Sequence, residues 1–314
     1  MMHRFAMPDL GISGHDPVVL SQHLEYLRGR GYALLSLMEV LDHLDTGVPL
    51  NGNAVVFTVD DGYADFAEVA APVFARYDCP VTVFLVTDFV AGRLWNWFDR
   101  VSWAFAHSPR REIIVEFTGE RLRLAWTTAA ECERSSSEII RRFKGITDAV
   151  KEQLIGTVSR ALEVEIPERA PSGYDAMDWD QVRACARSGV TFGPHTVTHP
   201  ILSQVDDGRA QREISESWRA VREATDAAVP VFCYPNGGPM DFSNREKEYV
   251  ARAGMKAAVS GMGGCIESHR RAMASTDRFS LPRYPYSEHK PRFVQIASGT
   301  EAMKARIRKP FSLS

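Results

Sequence analysis

Short β-branched runs alternate with amphipathic helical patterns along most of the chain. The clearest example is residues 54–59, a nearly continuous apolar run suited to a strand that is covered on both faces. It is followed by residues 66–77, whose apolar positions recur every three or four residues and form one stripe of a helix. Strands that alternate with helices in this way predict an α/β fold with parallel strands, a closed or partly closed (β/α) barrel.

Capping residues and glycines set the limits of several predicted elements. Ser36, with Glu39 three positions later, has the pattern of a capping box and opens a helix. Asp178 caps a second helix, which Gly189 ends. The other predicted elements are strands at 32–35, 81–86, 190–192, 229–234 and 256–259 and helices at about 206–226 and 244–253.

The alternation breaks between about residues 92 and 174. This stretch contains an aromatic-rich segment, a pattern typical of a small hairpin and two predicted helices, so we interpret it as an insertion in a single domain of residues 1–314. Its tryptophans Trp95, Trp97 and Trp103 have two interpretations: they pack between helices, or they form a wall on which sugar rings stack.

Charge and hydropathy exclude several classes of partner. With 37 Lys and Arg against 40 Asp and Glu, the formal net charge is −3, so the chain lacks the basic excess that favours nucleic acid. No apolar stretch reaches about 18 residues, so we expect no transmembrane segment. The first residues also lack the apolar core of a signal peptide. From these features we expect a cytoplasmic location.

Two adjacent carboxylates follow the apolar run at residues 54–59. Asp60 and Asp61 stand at the C-terminal end of that predicted strand, the edge where barrel folds gather reacting groups, and Gly62 allows a sharp turn there. Two negative charges so close together are unfavourable unless a cation lies beside them. The pair therefore indicates a metal site.

A second group of metal-binding residue types is His195-Thr-Val-Thr-His199, just past another predicted strand end. Histidines four positions apart can direct both imidazoles to one side of a helical turn, a spacing used for metal capture. By itself this spacing is weak evidence, and a structural or accidental origin explains it better. Together with Asp60 and Asp61 it predicts a site of two histidines and one carboxylate. Such a site leaves coordination positions open for water and substrate, as hydrolysis requires.

Both segments resemble motifs of one family. Residues 57–62 (FTVDDG) are similar to the T-F-D-D-G motif of the polysaccharide deacetylases, the NodB-homology group or carbohydrate esterase family 4. Residues 193–200 (GPHTVTHP) are similar to their H-[ST]-x-x-H-P motif. MHRF near the start, FCYPNG at 232–237 and RFSLPRY at 278–284 extend the resemblance to most of the chain outside the insertion. It implies a distorted or incomplete (β/α) barrel of mainly parallel strands with one catalytic domain.

Carried over by position, the resemblance also implies roles for the four motif residues. Asp60 would be the general base that activates a water molecule. Asp61, His195 and His199 would be ligands of a divalent metal ion, with zinc the first expectation.

The resemblance leaves three roles less well defined. The family's oxyanion donor falls on the backbone N–H of Tyr234. Many members have an Arg that orients the base where this chain has Cys233, and Arg283 is either its substitute or part of a structural salt bridge. The family's general-acid histidine has no clear match. His3 and His289 are candidates for that role, with ordinary surface or supporting positions as the alternative.

The resemblance implies a metal-dependent hydrolase that removes an N-acetyl group from an amino sugar of a surface polysaccharide or its precursor. Its partner would be an N-acetylated sugar or glycan. A deformylase or a cyclic-amide hydrolase on the same scaffold is one alternative, because attack on an amide does not itself select the acyl group. A carbohydrate-binding protein without catalysis is the other.

Overall fold

The structure is a computed structural model that describes residues 1–50, 52–117, 119–267 and 274–303. The chain divides into two compact units. The core unit consists of Met1–Ala91 and Ala176–Ser314, and the insertion unit is Gly92–Asp175. The insertion unit covers nearly the same residues as the insertion predicted from the sequence.

The core unit alternates short strands with helices. In chain order its elements are α1 (Pro17–Gly29), β1 (Ala33–Leu34), α2 (Leu37–Thr46), β2 (Ala54–Val55), β3 (Phe57–Val59), α3 (Ala71–Arg76), β4 (Val81–Leu85), α4 (Thr87–Val90), α8 (Trp179–Arg187), β7 (Thr191–Pro194), α9 (Asp207–Ala224), β8 (Val231–Cys233), α10 (Asn244–Arg252), β9 (Ala257–Val259) and α11 (Lys290–Ala297). Elements α5 to α7, β5 and β6 belong to the insertion unit.

The strand pairs that the structure describes in the core unit are all parallel. β3, β4 and β7 form one sheet in that order, and β1 pairs with β2 and β8 with β9. Single bridges extend these ladders: Met2 pairs with Val59, Phe192 with Ala228, and Val259 with Leu281. The predicted α/β class with parallel strands is therefore confirmed. Because the strands are short and partly joined by single bridges, the barrel is distorted and incomplete.

The core of this unit lies where the sheet meets helix α1 and the segment at 66–76. Val59, Val83 and Phe192, one from each strand of the three-stranded sheet, are completely buried and belong to one apolar cluster with Leu24 and Phe66. Each such side chain stabilises the fold by about 1.5–3 kcal/mol relative to an exposed position. This packing fixes the three strand ends from which the polar residues of the site emerge.

Two predicted elements differ in detail. The run at 54–59 is two strands, since β2 pairs with β1 and β3 pairs with β4, and the chain changes partner at Val56. The helix predicted at 66–77 begins as a π-helix, Phe66–Ala70, before α3. Pro72 explains this change because it lacks the N–H that would continue the α-helical pattern. The capping boxes of Ser36 and Asp178 are both present.

The insertion unit has its own core. Helices α5 (Trp97–His107), α6 (Ala129–Phe143) and α7 (Asp148–Leu162) accompany an antiparallel hairpin of β5 (Glu112–Phe117) and β6 (Glu120–Ala125). Trp95 is 4% exposed and packs edge-on against Trp103, while Trp97 stacks on Phe143. These contacts agree with the packing interpretation of the tryptophans.

None of the helices within the described parts of the chain combines the length and the hydropathy needed to cross a lipid bilayer. All five cysteines are free thiols.

Candidate metal centre

The two aspartates follow β3 and point to different partners. Asp60 and Asp61 are 3% and 2% exposed. Asp61 has a φ of 75°, in the left-handed region, and Gly62 follows at 92°. A side chain at Gly62 would approach the Leu85 side chain to 2.8 Å, so the turn also requires a small residue. The reversal at Asp61 separates the two carboxylates, as expected for groups with different roles.

His195 and His199 lie in a loop, and the prediction of a helical turn is wrong. His195 directly follows β7, and the loop then takes left-handed backbone angles at Thr196 (φ 68°) and His199 (φ 59°). A helix cannot contain these angles. The spacing of four residues nevertheless brings the rings together, with centroids 4.9 Å apart. The sequence could not reveal the loop, since neither position is glycine.

Asp61, His195 and His199 converge on one point. Nε2 of His195 and Nε2 of His199 each lie 3.5 Å from Oδ1 of Asp61, and all three residues are buried. Ligand atoms about 2.1 Å from a tetrahedral zinc ion lie about 3.4 Å from one another, so the observed spacing fits such an ion. Two imidazoles and one carboxylate also match the donor set of hydrolytic zinc sites.

A backbone carbonyl orients the first imidazole. The Nδ1–H of His195 donates to the carbonyl oxygen of Cys233 at 2.8 Å. Because a carbonyl only accepts, this bond assigns the proton to Nδ1 and leaves the lone pair of Nε2 directed at Asp61. Burial lowers the pKa of His195, which favours the neutral imidazole that metal coordination needs.

Arg283 forms a bidentate pair with Asp60 through its guanidinium group. Nη1 donates to Oδ1 at 2.7 Å and Nη2 to Oδ2 at 2.8 Å. The same guanidinium also donates to Thr58 Oγ1, to the carbonyl of Ser260 and to the Cys233 sulfur. Burial alone would raise the pKa of Asp60, but the charge and hydrogen bonds of Arg283 outweigh it and hold that pKa below its usual range.

A second cluster of potential ligands does not fit a cation. Asp60, His195 and Cys233 also lie close enough to share an ion. However, both oxygens of Asp60 accept from Arg283, and the Cys233 sulfur lies 3.2 Å from Nη2 of the same cation. Burial also raises the pKa of the Cys233 thiol well above its ordinary value. A metal ion there would meet a protonated thiol and a guanidinium charge.

The prediction for Tyr234 needs correction. Its backbone N–H donates to the carbonyl of Val259 at 3.3 Å, as part of the pairing of β8 with β9. Its ring stacks on Phe242, and its hydroxyl donates to the carbonyl of Phe279. Tyr234 is therefore a packing residue. Asn236, two positions later, has a φ of 57°, and its N–H has no hydrogen-bond acceptor among the residues that the structure describes.

The two histidines considered as proton donors differ in position. Nε2 of His3 lies 4.0 Å from Oδ2 of Asp60, and the His3 side chain is 49% exposed. The N-terminal segment runs parallel to β3, since Met2 pairs with Val59. His3 and Asp60, the next residue of each segment, therefore lie at the same edge. His289 is an exposed residue directly before α11. Of these two histidines, His3 is the one that borders Asp60.

One charged residue of the site was missed from the sequence. Glu213 of α9 is 5% exposed and accepts hydrogen bonds from the loop that contains the two histidines. The sequence offers one indication of this role: Glu213 is a charged residue on the buried face of α9, next to Ile214.

Comparison with known proteins gives one sequence match. A family model described as polysaccharide deacetylase matches residues 143–258, which include His195, His199 and the 232–237 motif. No curated protein matches the sequence.

Several solved structures share the fold. The deacetylase PplD of Streptococcus pyogenes, in complex with acetate, is 17% identical, with a TM-score of 0.59 over 95% of this chain and 96% of that chain. IcaB from Ammonifex degensii is 16% identical, with a TM-score of 0.58 over 95% and 94% of the two chains. The deacetylase domain of BpsB from Bordetella bronchiseptica is 16% identical, with a TM-score of 0.51 over 85% and 86%.

Fold and site thus define an α/β protein with a candidate metal centre at the carboxyl ends of its parallel strands. The sequence match and the shared fold confirm the resemblance to the polysaccharide deacetylase family, the NodB-homology group.

Proposed function

We propose that the protein is a metal-dependent hydrolase that removes an N-acetyl group from an amino sugar of a surface polysaccharide or its precursor. The observation that carries this proposal is the convergence of Asp61, His195 and His199 beside a separate carboxylate, Asp60. The matched family model and the deacetylases of similar fold support deacetylation of a polysaccharide.

Asp61, His195 and His199 would hold the ion, and zinc is the first expectation from their donor set. When bound, such an ion lowers the pKa of a coordinated water toward about 7 and polarises the amide carbonyl. A site with three protein ligands leaves room for both water and substrate.

Asp60 would accept a proton from the attacking water. Arg283 keeps this carboxylate ionised and fixes its plane, which makes it a weak base in a constant position. A weak base would be sufficient because a bound metal ion would lower the pKa of the attacking water. The new carbon–oxygen bond forms a tetrahedral oxyanion, for which the N–H of Asn236 is our candidate donor.

The carbon–nitrogen bond then breaks, and the leaving amine needs a proton. His3 is the candidate donor because its imidazole borders Asp60 and is open to solvent. The proton taken from water can return through this pair to the amine, and the products are acetate and a free amino sugar.

Acyl release from defined substrates tests the proposal. The zinc-loaded protein is incubated with N-acetylated, N-formylated and cyclic-amide sugar derivatives at equal concentrations, and the released acid is quantified. We expect acetate from N-acetylated oligosaccharides and none from an Asp61→Ala variant. Faster release of formate, or opening of the cyclic amide, would favour the alternative hydrolases. Calorimetric binding of a glycan without any release would favour a binding protein.

A further inference from the structure

The loop that contains His195 and His199 is held in an unfavourable backbone conformation. Thr196 and His199 both have left-handed φ values, 68° and 59°. For residues other than glycine such angles cost about 1–3 kcal/mol each and persist only where the surroundings fix them. Some group outside the loop must therefore hold it.

Glu213 of α9 is that group on one side of the loop. Its Oε2 accepts from the backbone N–H groups of Val197 and Thr198, both at 2.8 Å, and its Oε1 accepts from the Thr198 hydroxyl at 2.5 Å. These three donors all lie between the two histidines. A carboxylate suits this place because it can accept every bond and donates none.

The other side of the loop is held by the start of α4. The N–H of Thr87 donates to the carbonyl of Thr196 at 3.2 Å, and the N–H of Asp88 donates to the carbonyl of Val197 at 3.0 Å. The peptide groups between the histidines are thus fixed on both their donor and their acceptor sides. The α4 side uses backbone groups only, and within the loop the Thr196 hydroxyl oxygen accepts from the N–H of His199 at 3.0 Å. Glu213 is therefore a side chain outside the loop through which these bonds can be altered by substitution.

We infer that Glu213 is a positioning residue for the metal centre: it fixes the 195–199 loop so that both imidazoles face Asp61. This inference rests on the proposed metal centre. The guanidinium of Arg209, whose Nε lies 3.7 Å from Oε1, partly compensates the cost of burying the negative charge of Glu213. A glutamine at this position keeps one oxygen for the two backbone N–H groups, but it lacks the negative charge, and the Thr198 hydroxyl must turn to accept from its NH₂. Hydrogen bonds to a neutral amide are weaker than those to a carboxylate, so the loop should be held less firmly.

Glu246 provides a matched control. It is also a fully buried glutamate on a helix, and its Oε2 accepts from the N–H and the hydroxyl of Ser243 at 2.7 and 2.8 Å. These bonds cap α10 and do not involve the loop of the histidines. Glu246→Gln therefore removes a buried carboxylate of similar chemistry whose hydrogen bonds to Ser243 lie outside that loop.

Metal affinity and the spectrum of the cobalt-loaded protein test the inference without any substrate. We expect Glu213→Gln to bind zinc about 10–100-fold more weakly in a chelator competition, the effect typical of groups that orient metal ligands. The visible absorption bands of bound Co²⁺ should also shift. Glu246→Gln should match the unmodified protein in both measurements, even where it melts at a lower temperature.

The outcomes separate the two proposals. If the unmodified protein binds zinc and a folded Glu213→Gln variant shows the same affinity and the same cobalt spectrum, the positioning role is wrong. If the unmodified protein binds neither metal, the proposed centre itself fails. Should Glu213→Gln not fold, Thr198→Val removes the hydroxyl bond to Glu213 and leaves the two backbone bonds in place. Its zinc affinity then decides: a loss of several-fold supports the role, and no change overturns it.

Discussion

Arg283 clamps Asp60 through two parallel hydrogen bonds, from Nη1 to Oδ1 at 2.7 Å and from Nη2 to Oδ2 at 2.8 Å. The two residues are 223 positions apart, and both side chains are under a tenth exposed. A bidentate pair of this kind sets the plane of the carboxylate as well as its charge. It thereby leaves Asp61 as the aspartate that faces the two histidines.

Loss of the guanidinium should destabilise the fold in a pH-dependent way. In Arg283→Met, Asp60 is a buried charge without its partner, which costs about 3–5 kcal/mol at neutral pH. Arg283 holds the Asp60 pKa below its ordinary value of 3.8, so the pair stabilises the protein above about pH 4 and loses this effect only in stronger acid. Without Arg283, burial raises that pKa, so stability should fall as the pH rises from 4 to 7.

Urea unfolding of the metal-free protein between pH 4 and 7 measures this effect. Arg278→Met is the control, because Arg278 pairs with Asp45 at the surface and its loss should cost at most about 1 kcal/mol. An equal loss of stability in both variants, independent of pH, would contradict the account of the clamp.

Asp60→Asn should separate metal binding from turnover. The amide keeps the size of the side chain but cannot take a proton from water, so we expect kcat to fall by about 10²–10⁴-fold with an unchanged zinc content. Asp65→Asn is a control for the loss of a buried aspartate, since Asp65 also bonds to an arginine, Arg4, at 2.6 Å. Full activity of Asp60→Asn would refute its role as the base.

His3→Gln should lower kcat by at least tenfold, because His3 is the solvent-open imidazole beside Asp60 and a glutamine cannot transfer the proton to the amine. His289→Gln, at an exposed position before α11, should have ordinary activity. Steady-state rates of the two variants on one N-acetylated oligosaccharide make the comparison. Equal rates would contradict this role of His3 and indicate that the leaving amine takes its proton from solvent.

Gly261→Ala should disturb the loop at Asn236. An added Cβ would lie 2.3 Å from the carbonyl oxygen of Asn236, so the loop must move or the variant must tolerate a strain of about 1–3 kcal/mol. We expect a lower melting temperature and a loss of kcat of about tenfold or more, because small displacements near a reacting group are costly. Gly29→Ala, where a Cβ meets nothing within 4 Å, should leave kcat unchanged.

The sequence predicted those parts of the site that depend on residue type and on strand order. Asp60 and Asp61 follow β3 and His195 follows β7, and in a parallel sheet both strand ends lie at one edge. Arg283 was proposed from the family resemblance, because Cys233 stands where many members have the arginine that orients the base. The short range of the capping patterns explains why the helices starting after Ser36 and Asp178 were also predicted well.

Other parts depend on contacts that a sequence pattern does not contain. The left-handed angles at Thr196 and His199 occur in non-glycine residues, in a loop that is bonded to Glu213, to α4 and between these two residues themselves. Tyr234 was misassigned because strand β8 pairs with β9 up to that residue and uses its N–H. The break at Val56 likewise follows from a change of neighbouring strand, which hydrophobic periodicity cannot reveal.

The position of a bound metal ion tests the central claim most directly. Crystals of the zinc-loaded protein, measured on both sides of the zinc absorption edge, locate the ion by anomalous scattering. We predict one site per chain within about 2.0–2.2 Å of Asp61, His195 and His199, with Asp60 still held by Arg283. A zinc ion bound by Asp60 and Cys233, or no bound zinc at those three residues, would contradict it.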